Sequence, residues 1–380
     1  MNLSERIDRR RGSDRPEATI SNLGPLSPAV HLPEPIGRGS ELEELLDHVE
    51  PAFEGNRPDP LSVYGPSGVG KSALVTALFG ALDTALGRDR RAIATATRST
   101  RAGDVRFVRV DARRFDSDFR FYQSVLDALS EAPVPERGTG TDRLTDRIET
   151  QFETQDAVVA VDHVDTPNSL TADRVTELVA PFEDDVTTWF VGREPHPDRG
   201  ATLEIGPNRT HELVDILTER ASQGLAARNA LDHHDARRIA EWAEGSAHDA
   251  LAALLHAALL AAEADEDHIS SERVEDSLQA VPRNGVHVGR LLALPENRRA
   301  LLFDFVEEGL EGATVAEAAA TIDDRSDLAE GTITRFLYEL ADSGVLERVE
   351  EGDGRSASRL ACRFCDRVFA HLHAERQAIS

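Results

Sequence analysis

Residues 65–72 read GPSGVGKS and contain Lys71, the only lysine in the 380-residue chain; its other basic side chains, out of 42, are arginines. The spacing is G-x-x-x-x-G-K-S, a loop whose glycines let backbone N–H groups close around phosphate oxygens. Gly65, Pro66, Ser67, Gly68, Val69, Gly70, Lys71, Ser72 and Ala73 are therefore candidate nucleotide-binding residues. Lys71 would reach the β- and γ-phosphates as a compact, mobile charge, a task a planar guanidinium does badly. Ser72 would offer its hydroxyl to Mg²⁺. Further on, VVAVDHVD (158–165) is an apolar run that delivers Asp162 to the edge of a sheet, placed to hold the Mg²⁺ shell. Cys362 and Cys365 form a lone Cys-x-x-Cys followed by His371 and His373. A zinc site needs four converging ligands, and with no second cysteine pair these read as packed core thiols.

The elements that must position these groups follow from hydrophobic period. LSVY before the loop, FVRVDAR (107–113), AVVAVDHVD and TTWFVG (187–192) read as strands; ELEELLDHVEPAF, the segment from Lys71, FRFYQSVLDAL and RLTDRIETQFE read as helices. That alternation predicts a parallel α/β sheet covered on both faces. From about residue 207 the pattern becomes four consecutive helices, then a linker PRNG (282–285). The remainder predicts a helix over 291–307, a short helix in TVAEAAATI, a helix in GTITRFLYELADSG, and two strands around EGDG. Three helices and a hairpin describe a winged helix-turn-helix.

Composition narrows the class. Net charge is −27, with hydrophobic residues at 40% of the chain. An acid excess almost without lysine suits a protein of a salt-loving cell, or else an acidic interaction surface; in the first case only local arginine patches bear on nucleic-acid binding. Two cysteines give no disulfide framework. The apolar stretch 247–262 carries His248, Asp249 and His256, too short and polar to span a bilayer. With a polar start and no cleavable leader, the expectation is a cytoplasmic protein without membrane contact.

The order PEPIGRGSELEELLDHV (33–49), GNRPDPLSVYGPSGVGKSALV, VRFVRVDARRFDSDFRFYQSVLDAL and VVAVDHVD resembles the archaeal Orc1/Cdc6 replication initiators. The resemblance runs in order over residues 31–375 and implies an α/β P-loop AAA+ parallel-sheet domain, an all-α lid and a C-terminal winged helix. It implies ATP or ADP with Mg²⁺ at the base–lid junction, double-stranded DNA at replication origins, and the replicative helicase or other initiator paralogues as partners. Ile36 and Arg38 would lie near the adenine. The hydrolytic positions depart from the family's pattern: His163 stands where the water-polarising Glu belongs, with Asp165 as a weak substitute, Arg193 at the polar sensor, and His248 where the lid carries Arg. No Asp-Pro-Arg stretch supplies an arginine to a neighbour's site. These changes predict a nucleotide binder with weak or absent hydrolysis; the alternative is that Arg193 and His248 replace the missing cations in an ordinary slow ATPase.

For DNA, the candidates are Thr332, Thr334 and Arg335 at the start of the third C-terminal helix, and Arg355 and Arg359 in the hairpin. A second basic run, 88–114, holds nine Arg against three Asp; its part before the strand is either a DNA-facing loop or simply mobile. The expected division is a disordered tail (1–30), an AAA+ base (31–205), a lid (206–283) and a winged helix (284–380). The favoured role is replication initiation or its regulation. The rival is an AAA+-type signalling ATPase acting in transcription control or protein contact.

Overall fold

An apolar run such as AVVAV has no polar face to offer water, so as a strand it must be covered on both sides. In the computed structural model of the protein it is. The structure describes all residues except 1–18, 95–104, 116, 131–139, 154, 165, 168, 228, 325–327, 351–356 and 380, and only the backbone of 87–94, 378 and 379. The first helix of the described residues is α1 (Leu23–Leu26), followed by α2 (Gly39–Val49), β1 (Leu61–Tyr64), α3 (Lys71–Ala94), β2 (Val105–Asp111), α4 (Asp118–Leu129) and α5 (Thr141–Phe152). Then come β3 (Asp156–Asp162), α6 (Ala172–Val179), β4 (Val186–Val191) and β5 (Ala201–Glu204). The five strands pair in the order β2-β3-β4-β1-β5, all parallel.

Alternate residues of β3 feed two cores. Ala157, Val159 and Val161 join Phe121, Leu126, Ile148 and Val175 from α4, α5 and α6. Val158 and Ala160 join Trp189, Phe107 and the helices α2 and α3 through Leu45, Leu74 and Phe79. Phe79 packs its ring 5.3 Å from Trp189, which is fully buried. Residues 31–207, with 293–295, form one compact unit.

The second unit holds residues up to Val30, Asn208–Leu292 and Glu296–Ser380. It contains α7 (Thr210–Gly224), α8 (His233–Trp242), α9 (Ala247–Glu263), α10 (Ser271–Ala280), α11 (Val288–Ala293), α12 (Glu296–Glu307), α13 (Val315–Asp323), α14 (Glu330–Asp342), the antiparallel pair β6 (Leu346–Val349) and β7 (Arg359–Cys362), and α15 (Asp366–Ile379). Helix α9 is buried almost all round, as its alanine and leucine content requires. No helix of the described residues is long and apolar enough to cross a membrane.

Three expectations are corrected. Residues 19–30 are not a loose tail: Leu26 is fully buried, and the Arg220 guanidinium of α7 donates to Pro25 O and Val30 O, both at 2.9 Å. The lid–wing boundary at 283/284 falls inside one compact unit. Val286 N–H donates to Arg363 O at 2.6 Å, and Arg367 of α15 pairs with Glu263 of α9. The single helix expected over 291–307 is two, α11 and α12, interrupted before Glu296 at Pro295.

Candidate nucleotide-binding site

The phosphate loop connects β1 to α3, as the motif requires. Gly65, Gly68 and Gly70 all take positive φ (+145°, +79° and +105°). At Gly65 the need is absolute: a Cβ would sit 2.1 Å from the carbonyl oxygen of Ile205. Beyond Gly70 the first turn of α3 carries no acid, so the positive end of the helix faces the loop unopposed. Val69 is buried and anchors the loop to the sheet, while Pro66 and Ser67 are exposed. Lys71 folds back over the loop, its Nζ donating to Gly65 O at 2.8 Å and Pro66 O at 2.7 Å. The donor set fits a polyphosphate: flexible-backbone N–H groups, a helix start and one ammonium.

Arg38 is buried and braces this loop from behind. Its Nη2 donates to Val69 O at 2.9 Å and to Gly206 O at 2.8 Å, and its Nη1 to Glu41 at 2.6 Å. Ile36, two residues upstream, is half-buried. The resemblance placed both near the adenine; the geometry gives Arg38 a holding role in the loop's rear wall.

Asp162 ends β3 at 1% exposure. Burial alone would push its carboxyl up, but His163 and Arg109 beside it, with hydrogen bonds from Arg109, hold it well below the usual carboxylate range. Arg109 of β2 donates twice to Oδ2, from Nε at 2.9 Å and Nη2 at 2.5 Å. Ser72 and Asp162, the expected Mg²⁺ ligands, lie together, but the carboxylate is already engaged by a guanidinium. In this arrangement the pair does not fit a metal shell.

His163 follows with φ of 67°, a left-handed conformation rare outside glycine. Its Nε2 lies 3.5 Å from Asp162 Oδ2, and burial pushes the imidazole down despite that neighbour. Asp165 lies outside the described residues. Arg193 is exposed on the turn after β4.

His248 belongs to the second unit, where both its ring nitrogens are engaged. Nδ1 donates to Asp249 at 3.1 Å, Nε2 accepts from Val288 N–H at 3.2 Å, and the ring stacks on His287 at 3.7 Å. The replacement of the lid's Arg implied for it has no free ring nitrogen here. Among the described residues, His248, Asp249 and His287 bring possible metal-ligating atoms within 4.8 Å of one another. The rings are parallel within 9°, so their lone pairs do not converge on one ion. The cluster is a packing joint between α9 and the segment leading into α11.

In the C-terminal part, Leu337 and Leu340 are core, with Thr332 and Thr334 half-buried at the start of α14. Arg335 is exposed but leans on its own helix, 3.8 Å from Glu339 and over the Phe336 ring. Arg359 donates to Gly312 O at 2.6 Å, tying β7 to the turn before α13. Arg355 lies outside the described residues, as do the side chains of 88–94 and all of 95–104 in the basic run. Three of the four later arginines of that run are paired internally, Arg106 with Asp83, Arg109 with Asp162 and Arg113 with Asp111, while Arg114 is exposed. Cys362 and Cys365 are free thiols, both pushed up to about 12 by burial.

Sequence reasoning passed over Arg109 because its significance appears only when β2 is paired with β3.

Residues 34–191 match the family model described as AAA ATPase domain. The chain is 25% identical over 349 residues to ORC1-type DNA replication protein 6 of Halobacterium salinarum, covering 85% of this chain and 87% of that one. Its fold is similar to that of the Aeropyrum pernix ORC1 protein, solved in complex with DNA, with a TM-score of 0.60 at 19% identity over 96% of this chain and 99% of that one. The Aeropyrum pernix ORC2 protein, solved as ADPNP–ADP complexes, gives 0.58 at 16% identity over 94% and 99%.

Proposed function

We propose that this chain, a divergent homologue of the Orc1/Cdc6-type replication initiators with an AAA ATPase domain, binds ATP or ADP in the loop 65–72 and double-stranded DNA through its C-terminal helices and hairpin. It acts in the cytoplasm in the initiation of DNA replication or its regulation, alongside the replicative helicase or other initiator paralogues. The observation that carries the reading is an intact phosphate loop, closed by Lys71 and braced by Arg38, in a chain similar along most of its length to an ORC1-type DNA replication protein.

Hydrolysis is slow or absent. Turning over ATP needs a group that polarises the attacking water, and where the resembled family places a glutamate stands the half-buried imidazole of His163, without a carboxylate's reach or charge. Loss of one transition-state group commonly costs about a hundredfold in rate or more. Nucleotide then acts as a conformational ligand, effective through its different affinity for different states of the protein. A second reading, a signalling ATPase working through protein contacts, is favoured by the Arg335 cation lying on Glu339 and Phe336. Chromatin immunoprecipitation of the tagged chain in its host separates the two. Sharp peaks at replication origins are expected; peaks confined to promoters, or none above background, would favour the second.

A further inference from the structure

The phosphate loop faces a carboxylate that already has its cation. Oδ2 of Asp162 accepts from Nε and Nη2 of Arg109. Arg109 sits on β2, which runs parallel to β3 over its full length, so the backbone fixes where this side chain starts. One step along the same register, Asp111 stands opposite Asp162 and is held by Arg113 at 2.8 and 2.7 Å. Two carboxylates meet two guanidiniums. The corner is electrically complete without an ion.

A Mg²⁺ ion would have to compete with this arrangement. It demands a nearly octahedral set of oxygens at about 2.0–2.1 Å, usually with a carboxylate free to face it or its waters. Here that carboxylate is almost wholly buried, and the guanidinium lies on its oxygen. Seating a dication next to Arg109 would set like charges side by side in a site of low dielectric. Moving Arg109 away instead would break a two-point charge-assisted contact. A guanidinium can also do the ion's electrostatic work. It is permanently charged, it presents five N–H donors, and Asp162 takes two of them.

We propose that Arg109 takes the place of the divalent cation in this site: the chain holds ATP or ADP without Mg²⁺, and Asp162 orients the guanidinium instead of a metal shell. The inference rests on the nucleotide-binding reading above.

The test titrates the full-length chain with a fluorescent ATP analogue and with ADP, by fluorescence and by calorimetry, in buffer with MgCl₂ and in buffer with EDTA. Affinities within about threefold of each other are expected; a fall of about tenfold or more in EDTA, some 1.4 kcal/mol, overturns the inference while leaving nucleotide binding intact. Binding in neither buffer overturns the nucleotide-binding reading, and this inference with it. The variant Arg109→Met should lose about tenfold in EDTA, and a variant that binds as the parent does in EDTA speaks against the proposal. Should that variant not fold, Arg109→Met/Asp162→Asn, which strands no buried charge, carries the same comparison. Its EDTA affinity is expected to fall likewise, and an unchanged affinity is the contrary result.

Discussion

Replacing Arg38 by alanine separates two roles that the sequence leaves mixed. If Arg38 served only to touch an adenine, its loss would weaken nucleotide binding and leave the empty protein as stable as before. The structure instead gives it contacts that exist without ligand: Val69 O, Gly206 O and the Glu41 carboxylate, at 2.9, 2.8 and 2.6 Å. Hydrogen bonds to a charged group contribute about 1.5–3 kcal/mol each, and those sharing one guanidinium do not add, so the expected loss is about 3 kcal/mol. Against a typical total of about 5–15 kcal/mol that is a large fraction. The assay is urea unfolding followed by fluorescence of Trp189, buried in the same unit, in a Trp242→Phe background that silences the second unit. The midpoint should fall markedly in the absence of nucleotide. Affinity for ATP should fall too, by about tenfold, because the loop loses its rear support. Arg38→Lys should rescue little, since one ammonium does not span carbonyls on two sides. An unchanged midpoint with weakened ATP binding would refute the bracing role and restore the adenine contact.

Other expectations follow from single contacts. Gly65→Ala should unfold the first unit at markedly lower temperature, because its Cβ would meet Ile205 O at 2.1 Å, and scanning calorimetry reads this directly. Arg220→Ala should free residues 19–30 to limited proteolysis and cost about 2–4 kcal/mol, since a guanidinium 7% exposed, its pKa lowered to about 10 by burial, holds two carbonyls there. Asp162 has a depressed carboxyl, so its contribution is fully present above the ordinary value of 3.8 and is lost as pH falls below it. Asp162→Asn should therefore flatten the acid limb of stability in that window and leave the slope above it unchanged, measured by unfolding across the acid range. Both thiols, pushed up to about 12, should react with Ellman's reagent slowly in the folded protein and fully on unfolding.

What the sequence made legible was what local spacing encodes. The loop, with the strand before it and the helix after it, is contiguous, and β3 declares itself through five apolar residues in a row. Strand β5 escaped notice because ATLE is a short edge strand, mostly exposed, with no apolar run to announce it. Segment 19–30 reads as a tail because SNLGPL carries glycine and proline; it is ordered by Arg220, 195 residues from Pro25 in sequence. The Arg109–Asp162 pair, separated by 53 residues, exists only through strand register. His248 shows the converse. Its place where the resembled family's lid carries Arg suggested a part in hydrolysis, but its surroundings make it part of a packed joint with His287 and Val288.

The central claim is that the site holds nucleotide and scarcely turns it over. The most direct measurement is the fate of γ-labelled ATP bound to the full-length chain, with DNA present and absent, alongside Lys71→Ala. The account predicts one equivalent of ATP retained and recovered intact from the parent protein, and no retention by the variant. Sustained release of labelled phosphate over many turnovers, abolished by Lys71→Ala, would contradict it.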